Sequence, residues 1–542
     1  MEKSNFLTDG PTWVHGLAWV DIVIIILYFL FIVYLGVKYS KSQDADSYFL
    51  AGRGTGWGVI GFSLFAASIS SSTLIGQAGD AYSTGIAVFN YNLISVLVMI
   101  FFAWYILPFY IKTQIFTIPE FLEKRFNVAS RYYFSAISII VNIFLDAAGS
   151  LYAAAVVMKL VFPDVSIFHL SVIFAVIVAA YTIPGGLSAA IKVDLMQGIF
   201  LLIGSAVLTF YATFNGGAEY VRQLLTDGDI LMKLVRPNDD ASVPWLGMIL
   251  GIPILGMFFW GNNQQLVQRV LTAKSIDEGR KGVLLVGFLT MLTLFLIIIP
   301  GVMSIKLFPG LPKPDMVYPN LILNLMPNIL IGFMMAAMVA ALTSSLSGLL
   351  NSVATLFTMD FYDKIAPNST SQKKVKVGKL ASIVVLVIAV FWAPQIGKQF
   401  GNLLKYYQEM LSIMAPPIVA AFMLGIFWKR TNGKGAFVGL MAGVLLGIFN
   451  VVYKVYTGQS IFGDIHFLLT VPFYFSWTIL VMVVVSLSTE KPPIEKTEHL
   501  TFSLKEFREE TQFLKTNSIF ESYRFWSYLL IAFCFVILYL FW

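Results

Sequence analysis

The chain has 542 residues, of which 58% are hydrophobic and only 12% are charged. Soluble domains carry about twice that charged fraction, so the composition indicates an integral membrane protein and excludes an ordinary soluble enzyme. The formal net charge of +6 does not indicate a nucleic-acid partner, because the basic residues form short clusters between apolar segments. Cys534 is the single cysteine, so neither an intramolecular disulfide nor a cysteine metal cluster can form.

Apolar segments of about 20 residues recur along the whole chain, and in a bilayer such segments must be helices because their backbone groups need internal partners. A β-barrel would show short alternating segments instead. We therefore predict an all-α membrane protein with about 14 transmembrane helices. The predicted spans are 19–38, 56–79, 84–110, 132–160, 166–184, 193–214, 243–262, 281–305, 327–352, 379–397, 404–428, 435–456, 466–487 and 524–542.

The basic residues fall mainly in alternate loops. Arg269, Lys274, Arg280 and Lys281, for example, are assigned to one inside loop. By the positive-inside rule this distribution predicts a multi-pass protein of the cell membrane with both termini outside. No GxxxxGK[ST] motif is present, which disfavours transport driven by ATP and favours an ion gradient or a passive channel.

Small and hydroxyl residues are concentrated in two of the predicted helices. Residues 66–73 read AASISSST and are followed by Gly76 and Gly79, and residues 343–347 read TSSLS. Such segments can unwind so that carbonyl and hydroxyl oxygens coordinate sodium, or they can simply allow close helix packing. Two clusters could meet around one ion.

A second predicted break lies in helix seven, which contains Pro253, Gly256 and the residues GNNQ at 261–264. Helix two and helix seven each open a run of five spans. Breaks at the first helix of each half are typical of an inverted-repeat transporter.

Several segments match motifs of one transporter family. They are 48–53 (YFLAGR), 117–126 (TIPEFLEKRF), 181–189 (YTIPGGLSA), 351–360, and the glycine-containing segment 425–443. In these segments the chain resembles the solute:sodium symporter family, and within it the bacterial sodium/galactose symporters. The resemblance covers nearly the whole chain. It implies a LeuT-type fold of five plus five inverted helices, here helices two to eleven, and transport by alternating access.

The resemblance also implies a single transmembrane domain over 1–542, with core helices at about 56–428. We expect a monomer that needs no cofactor other than sodium as the coupling ion. Peripheral helices are then expected at 19–38, 435–456, 466–487 and 524–542.

The family's principal sodium site carries over to five positions of this sequence. They supply the carbonyls of Ala66, Ile69 and Ala341 and the hydroxyls of Ser344 and Ser345. Five neutral oxygens without a carboxylate suit a monovalent cation better than a divalent one. Sodium is thus the only metal that we predict, and it would hold helix two against helix nine.

Asp194 is expected near the start of helix six, and the resemblance gives it two alternative roles. It lines the sodium exit path, or it joins Ser347 and other serines of helix nine in a second sodium site. Gly348 stands where two-sodium members carry another hydroxyl. A third interpretation is that Asp194 caps the helix N-terminus. The stoichiometry therefore stays open between one and two sodium ions.

The predicted solute site retains only part of the sugar-binding pattern. Gln408 and Trp260 match the sugar transporters, whereas Phe259 replaces the tyrosine of the inner gate. The predicted solute-binding residues are Ser68, Thr73, Tyr91, Asn92, Asp146, Phe259, Trp260 and Gln408.

Asp146 is a carboxylate within an apolar span, where a charged group is costly unless it has a function or a partner. The resemblance aligns it with a position that faces the solute. Its two oxygens could bind neighbouring hydroxyls of a sugar or polyol, or neutralise an ammonium group. The structural alternative is a pairing with Asn142 or another polar group inside the bundle.

We therefore expect a sodium-coupled symporter in the lipid bilayer that imports a small neutral solute, a sugar or a polyol. The alternatives are a sodium symporter for an amine or another organic metabolite, and a non-transporting sensor or pore on the same fold. An enzyme is not expected, since no HExxH motif and no nucleophile paired with a base occur in the spans.

Overall fold

The chain folds almost entirely into helices. Eleven helices in the described residues are long and apolar enough to cross a membrane, and two shorter apolar helices, Trp19–Leu35 and Trp57–Ser68, accompany them. This computed structural model describes residues 17–38, 44–69, 72–159, 162–240, 242–399, 403–514 and 518–542.

The helices of the first half run from the peripheral helix to the end of the first set of five spans. They are α1 (Trp19–Lys38), α2 (Ala45–Leu50), α3 (Trp57–Ser68), α4 (Gln77–Thr84), α5 (90–112), α6 (Ile118–Arg125), α7 (Val128–Lys159), α8 (Ile167–Ala212) and α9 (Ala218–Thr226).

The second half contains the second set of five spans and further peripheral helices. They are α10 (Trp245–Asn262), α11 (Gln264–Val270), α12 (Ile276–Leu307), α13 (Val317–Leu325), α14 (Leu330–Ile365), α15 (Ser371–Gln399), α16 (Leu403–Phe427), α17 (Gly433–Thr457), α18 (Phe467–Ser488), α19 (Leu504–Leu514) and α20 (Tyr523–Leu540).

The predicted number of 14 spans is not confirmed by this count. The predicted spans 166–184 and 193–214 both lie in α8, a run of 46 residues that is interrupted at Gly186 by a non-helical backbone conformation, so α8 consists of two helical segments. The predicted span 19–38 corresponds to α1, and the predicted span 56–79 is interrupted after Ser68, the last residue of α3. The all-helical class is confirmed.

The predicted break in the second span is present. Helix α3 ends at Ser68, and Ile69 has a non-helical conformation with φ −77° and ψ 77°. Helical residues resume in a wide π turn, Ser72–Gly76, which leads into α4. Ser70 and Ser71, which belong to the predicted hydroxyl cluster, lie outside the described residues.

The second predicted break, in helix seven, is also present. Helix α10 ends at Asn262, and Asn263 is extended with φ −71° and ψ 117°. The Asn263 side chain then caps α11 by accepting a hydrogen bond from the backbone N–H of Gln265 at 2.8 Å. Each run of five spans therefore begins with a broken helix.

The centre of the bundle is α14, which packs against α8 and α3. In its 18-residue apolar segment, 89% of the residues are buried, the largest share among the helices that could cross a membrane. Its small side chains, Ala340, Ala341, Ser344, Ser345 and Ser347, allow neighbouring helices to approach closely. This approach brings the serines of α14 to the end of α3.

The segment between α18 and α20, predicted as a surface helix or loop, contains the amphipathic helix α19. Its Glu506 accepts a hydrogen bond from Lys112 Nζ at 3.1 Å, and its Glu510 pairs with Arg280. Helix α19 therefore lies across the ends of α5 and α12.

Gly186 is predicted to be indispensable to the bend in α8. Its φ of 58° and ψ of −154° belong to a region that only glycine adopts without strain, and an added Cβ would lie 2.6 Å from the Tyr48 ring and backbone. Backbone strain of this kind alone costs about 1–3 kcal/mol. Gly186→Ala should therefore lower the melting temperature of the purified protein sharply, whereas Gly58→Ala, where an added Cβ meets nothing within 4 Å, should not. Equal melting temperatures for the two variants would contradict this account.

Candidate functional site

The carbonyl groups at the end of α3 lie beside the serines of α14. A helix end leaves its last carbonyls without intrahelical donors. Ser345 Oγ donates to the carbonyl of Ala67 at 3.2 Å, and Thr73 Oγ1 donates to that of Ser68 at 3.0 Å. The neighbouring carbonyls, those of Ala66 and Ile69, are the two that the sequence assigns to sodium.

The two serine hydroxyls of the predicted sodium site are oriented by acceptors. Ser345 donates its proton to Ala67, and Ser344 donates its proton to Asp194 Oδ1. A hydroxyl that donates its proton in this way keeps its oxygen lone pairs free for another partner. Both oxygens are thus suited to a cation, and both side chains are buried.

Asp194 forms a fully buried ion pair with Arg269 of α11. Arg269 donates from Nε at 3.1 Å and from its terminal nitrogen at 2.8 Å to the same oxygen, Asp194 Oδ2. The exposed fractions of the two side chains are 0% and 1%. Ser63 Oγ donates to the same carboxylate oxygen at 2.9 Å. Sequence reasoning missed this pair because it placed Arg269 in an inside loop.

The cap interpretation of Asp194 is wrong, because Asp194 lies well inside α8 rather than at its start. Helical residues precede it as far back as Gly186. The other predicted member of the second cation site, Ser347, accepts a hydrogen bond from Thr182 Oγ1 at 2.8 Å. A Cβ added at Gly348 would lie 2.7 Å from the Arg269 guanidinium. The guanidinium therefore fills the space beside Gly348.

A central cavity lies between the two broken helices. Its described lining comes from α3, α4, α5, α10, α12 and α16 and includes no charged side chain. The polar members of the lining are Ser68, Thr73, Gln77, Tyr91, Asn92, Ser95, Thr290, Thr293, Tyr407 and Gln408. The remaining members are Ile69, Ile252, Leu255, Gly256, Phe259, Trp260 and Leu411.

Seven of the eight predicted solute-binding residues lie in this lining, and Asp146 is the exception. Asp146 contacts the lining indirectly, through a hydrogen bond with the Tyr407 side chain. The sequence reasoning did not predict Gln77 or Tyr407 in the lining. Gln77 lies one helical turn after Thr73, and Tyr407 directly precedes Gln408. Each of the two is therefore close in sequence to a residue that was predicted.

Three polar side chains of the cavity lining, Gln77, Asn92 and Thr293, are hydrogen-bonded to one another. Gln77 and Asn92 exchange two amide hydrogen bonds of 3.1 and 3.0 Å, and Asn92 also donates to Thr293 Oγ1 at 2.8 Å. This network holds α4, α5 and α12 together with neutral groups. A second cavity, of about 540 Å³, shares Tyr91 and Gln408 with the central cavity, so these two side chains separate the cavities.

Comparisons with known proteins agree with this arrangement. A profile of the sodium:solute symporter family matches residues 48–443. The chain is 33% identical to the sodium/myo-inositol cotransporter 2 of Homo sapiens over 541 residues, which cover 90% of this chain and 79% of that protein. It is 32% identical to the sodium/glucose cotransporter of Vibrio parahaemolyticus over 467 residues, with 80% and 86% coverage.

Two solved structures show a similar fold. A sodium-coupled sialic acid symporter in a substrate-bound, outward-open state superimposes with a TM-score of 0.77 at 23% identity, over 88% of this chain and 99% of that one. A nucleobase-cation-symport-1 family transporter in a closed conformation gives a TM-score of 0.53 at 14% identity, with coverage of 83% and 94%.

The broken helices and the superpositions define the fold as the LeuT-type fold of five plus five helices. The family match and the sequence identities make the assignment more specific. The chain belongs to the sodium:solute symporter family, and it is a sodium-coupled solute symporter.

The Asp194–Arg269 pair is expected to show strong energetic coupling. Removing one partner of a buried ion pair leaves an unpaired charge and costs about 3–5 kcal/mol, whereas removing both partners costs much less. Asp194→Asn and Arg269→Met should each lower the melting temperature of the detergent-purified protein, and the double variant should be more stable than the sum of the single effects predicts.

The matched control for this cycle is the Lys505–Glu509 pair of α19, whose atoms are 4.0 Å apart and whose side chains are 86% and 62% exposed. Exposed pairs contribute about 1 kcal/mol or less, so Lys505→Ala should leave the melting temperature nearly unchanged. Additive effects of Asp194→Asn and Arg269→Met would argue against a coupled pair.

Proposed function

We propose that this symporter imports a neutral polyhydroxylated solute, a sugar or a polyol, by alternating access. The main support is the chemistry of the central cavity, whose described lining offers hydroxyls, amides and aromatic rings but no charged group. Such groups bind hydroxyls by hydrogen bonds, and aromatic rings such as those of Phe259 and Trp260 pack on apolar faces of a sugar ring. The names of the relatives, which include glucose and myo-inositol cotransporters, point to the same class.

An amine substrate is less well supported. Its ammonium group would need a carboxylate in the cavity, and Asp146, the nearest candidate from the sequence, lies behind Tyr407. The described lining residues offer only neutral acceptors. We therefore favour the neutral solute over the amine.

Sodium is proposed to bind between the end of α3 and α14, at the carbonyls of Ala66, Ile69 and Ala341 and the hydroxyls of Ser344 and Ser345. The orientation of the two hydroxyls by Ala67 and Asp194 supports this assignment. A bound ion would hold α3 against α14, and its release would free the two helices to separate. Sodium binding is thereby coupled to the shape of the adjoining cavity, to which Ser68 and Ile69 contribute.

We propose that one sodium ion is transported per cycle. A second sodium ion beside Asp194 and Ser347 would compete with the Arg269 guanidinium, which already binds the Asp194 carboxylate through two nitrogens. The space beside Gly348 is filled by the same group. Arg269 thus supplies the positive charge that a second sodium ion would bring.

We propose that the chain lies in the cell membrane as a monomer with both termini outside. The orientation is based on the loops rich in lysine and arginine. The N-terminal part of this proposal concerns residues 1–16, which lie outside the described residues. The transport unit is then the single transmembrane domain with core helices at about 56–428.

Uptake of labelled solutes into proteoliposomes tests the proposed substrate class. Purified full-length protein should take up D-glucose, D-galactose or myo-inositol when an inward sodium gradient is imposed, and it should not take up choline. Replacing sodium by potassium should abolish the uptake. Sodium-independent uptake, or preference for choline, would overturn the proposal.

Ser345→Ala is expected to weaken sodium activation more than maximal transport. It removes one of five oxygen ligands, so the half-saturating sodium concentration should rise by about tenfold, which corresponds to 1.4 kcal/mol. The apparent solute affinity at saturating sodium should change little.

The Hill slope of uptake against sodium concentration should be about one in the wild type and in Asp194→Asn.

Ser382→Ala is a matched control, because this buried serine donates to the carbonyls of Leu350 and Gly378, which belong to α14 and α15 and not to α3. It should leave sodium activation unchanged. A slope near two in the wild type would contradict the single-ion proposal, and unchanged sodium activation in Ser345→Ala would remove Ser345 from the sodium site.

A further inference from the structure

The backbone around Asp146 departs from regular α-helical geometry. It lies in the wide π turn Asn142–Ala147 that interrupts α7. Such turns insert one extra residue into a helix and occur often at functional sites. Within the turn, Asn142 binds α14 by donating to Ser352 Oγ at 3.1 Å. The same turn therefore directs one polar side chain to α14 and another, Asp146, to α16.

The Asp146 carboxyl group has one partner in α16. One of its oxygens is hydrogen-bonded to the Tyr407 hydroxyl, and the other, Oδ2, is buried without a hydrogen-bond partner in the described part of the chain. Around the pair, Val141 and Leu145 of α7 pack with Met410 of α16 in an apolar cluster. The apolar surroundings leave the carboxyl group few other partners, which strengthens its bond to Tyr407.

Tyr407 connects this pair to the central cavity. It lies in the cavity lining next to Gln408, whereas Asp146 does not. A phenol has one proton and can donate it to one acceptor at a time. When the proton points to the Asp146 carboxyl group, the Tyr407 oxygen can only accept a hydrogen bond from a molecule in the cavity.

We propose that Asp146 is a specificity-determining positioning residue that makes the Tyr407 oxygen an acceptor toward the transported solute. The inference rests on the proposed function and makes it more specific. The solute must then present a hydrogen-bond donor, a hydroxyl group, to this part of the cavity. A solute with fluorine at the same carbon cannot donate and should be discriminated against.

Monodeoxyfluoro analogues test this proposal in the full-length protein. Apparent affinities are measured in proteoliposomes at saturating sodium for whichever of D-glucose, D-galactose and myo-inositol is transported, and for its analogues fluorinated at one position each. Loss of a hydrogen bond of about 1.4 kcal/mol corresponds to a tenfold loss of affinity. One analogue should therefore bind about tenfold more weakly than the parent solute in the wild type.

Three variants separate the role of Asp146 from a merely structural one. Asp146→Leu has a similar size and suits apolar surroundings, and it frees the Tyr407 proton, so the tenfold discrimination against that analogue should fall to about twofold or less. Asp146→Asn retains an acceptor oxygen for the Tyr407 proton and should preserve the tenfold discrimination. In Tyr407→Phe the discrimination should already be lost, and adding Asp146→Leu to this variant should have no further effect.

Asn142→Ala is the matched control, because Asn142 shares the π turn but binds Ser352 of α14. It should keep the wild-type discrimination even if the melting temperature falls. Unchanged discrimination in Asp146→Leu, or an effect of Asp146→Leu that persists in the Tyr407→Phe background, would overturn the inference. Absence of sodium-dependent uptake of any sugar or polyol by the wild type would instead overturn the proposed function.

Discussion

The buried ion pair between Asp194 and Arg269 determines how the two halves of this transporter meet. Asp194 belongs to α8 in the first set of five spans, and Arg269 belongs to α11 in the second. A charge in the apolar interior is costly unless it is paired, so the two helices must stay in register wherever this pair persists. The same carboxylate accepts the proton of Ser344. The ion pair therefore also orients one of the proposed sodium ligands.

The short helix α11 carries further buried polar side chains besides Arg269, and these also bind neighbouring helices. It carries Gln264, Gln265 and Gln268, all buried, which would be costly in an apolar bundle without hydrogen bonds. Gln265 donates to the carbonyl of Ser345 at 3.1 Å, and Gln268 donates to Thr355 Oγ1 at 2.7 Å. Helix α11 is thus fixed to α14 along its length. Movement of α11 during transport would have to exchange these bonds for others.

Much of this architecture could be predicted from the sequence, because backbone breaks in a membrane leave a recognisable composition. The hydroxyl residues at 66–73 and the residues GNNQ at 261–264 both marked real interruptions. The pairing of Arg269 could not be predicted, since a basic residue next to a loop looks the same in sequence whether it faces water or a buried carboxylate. The division of α8 into the predicted spans 166–184 and 193–214 agrees with its interruption at Gly186, whereas the total of 14 spans stays a prediction.

The position of Asp146 shows a second limit of sequence reasoning. Helical periodicity predicts which face a residue occupies only while the helix has 3.6 residues per turn. The π turn Asn142–Ala147 inserts an extra residue and rotates everything that follows relative to what precedes it. The alignment placed Asp146 at a solute-facing position, whereas the described cavity lining does not include it. Its carboxyl group instead reaches Tyr407, so the cavity stays neutral while a carboxyl group still influences which hydrogen bonds it can make.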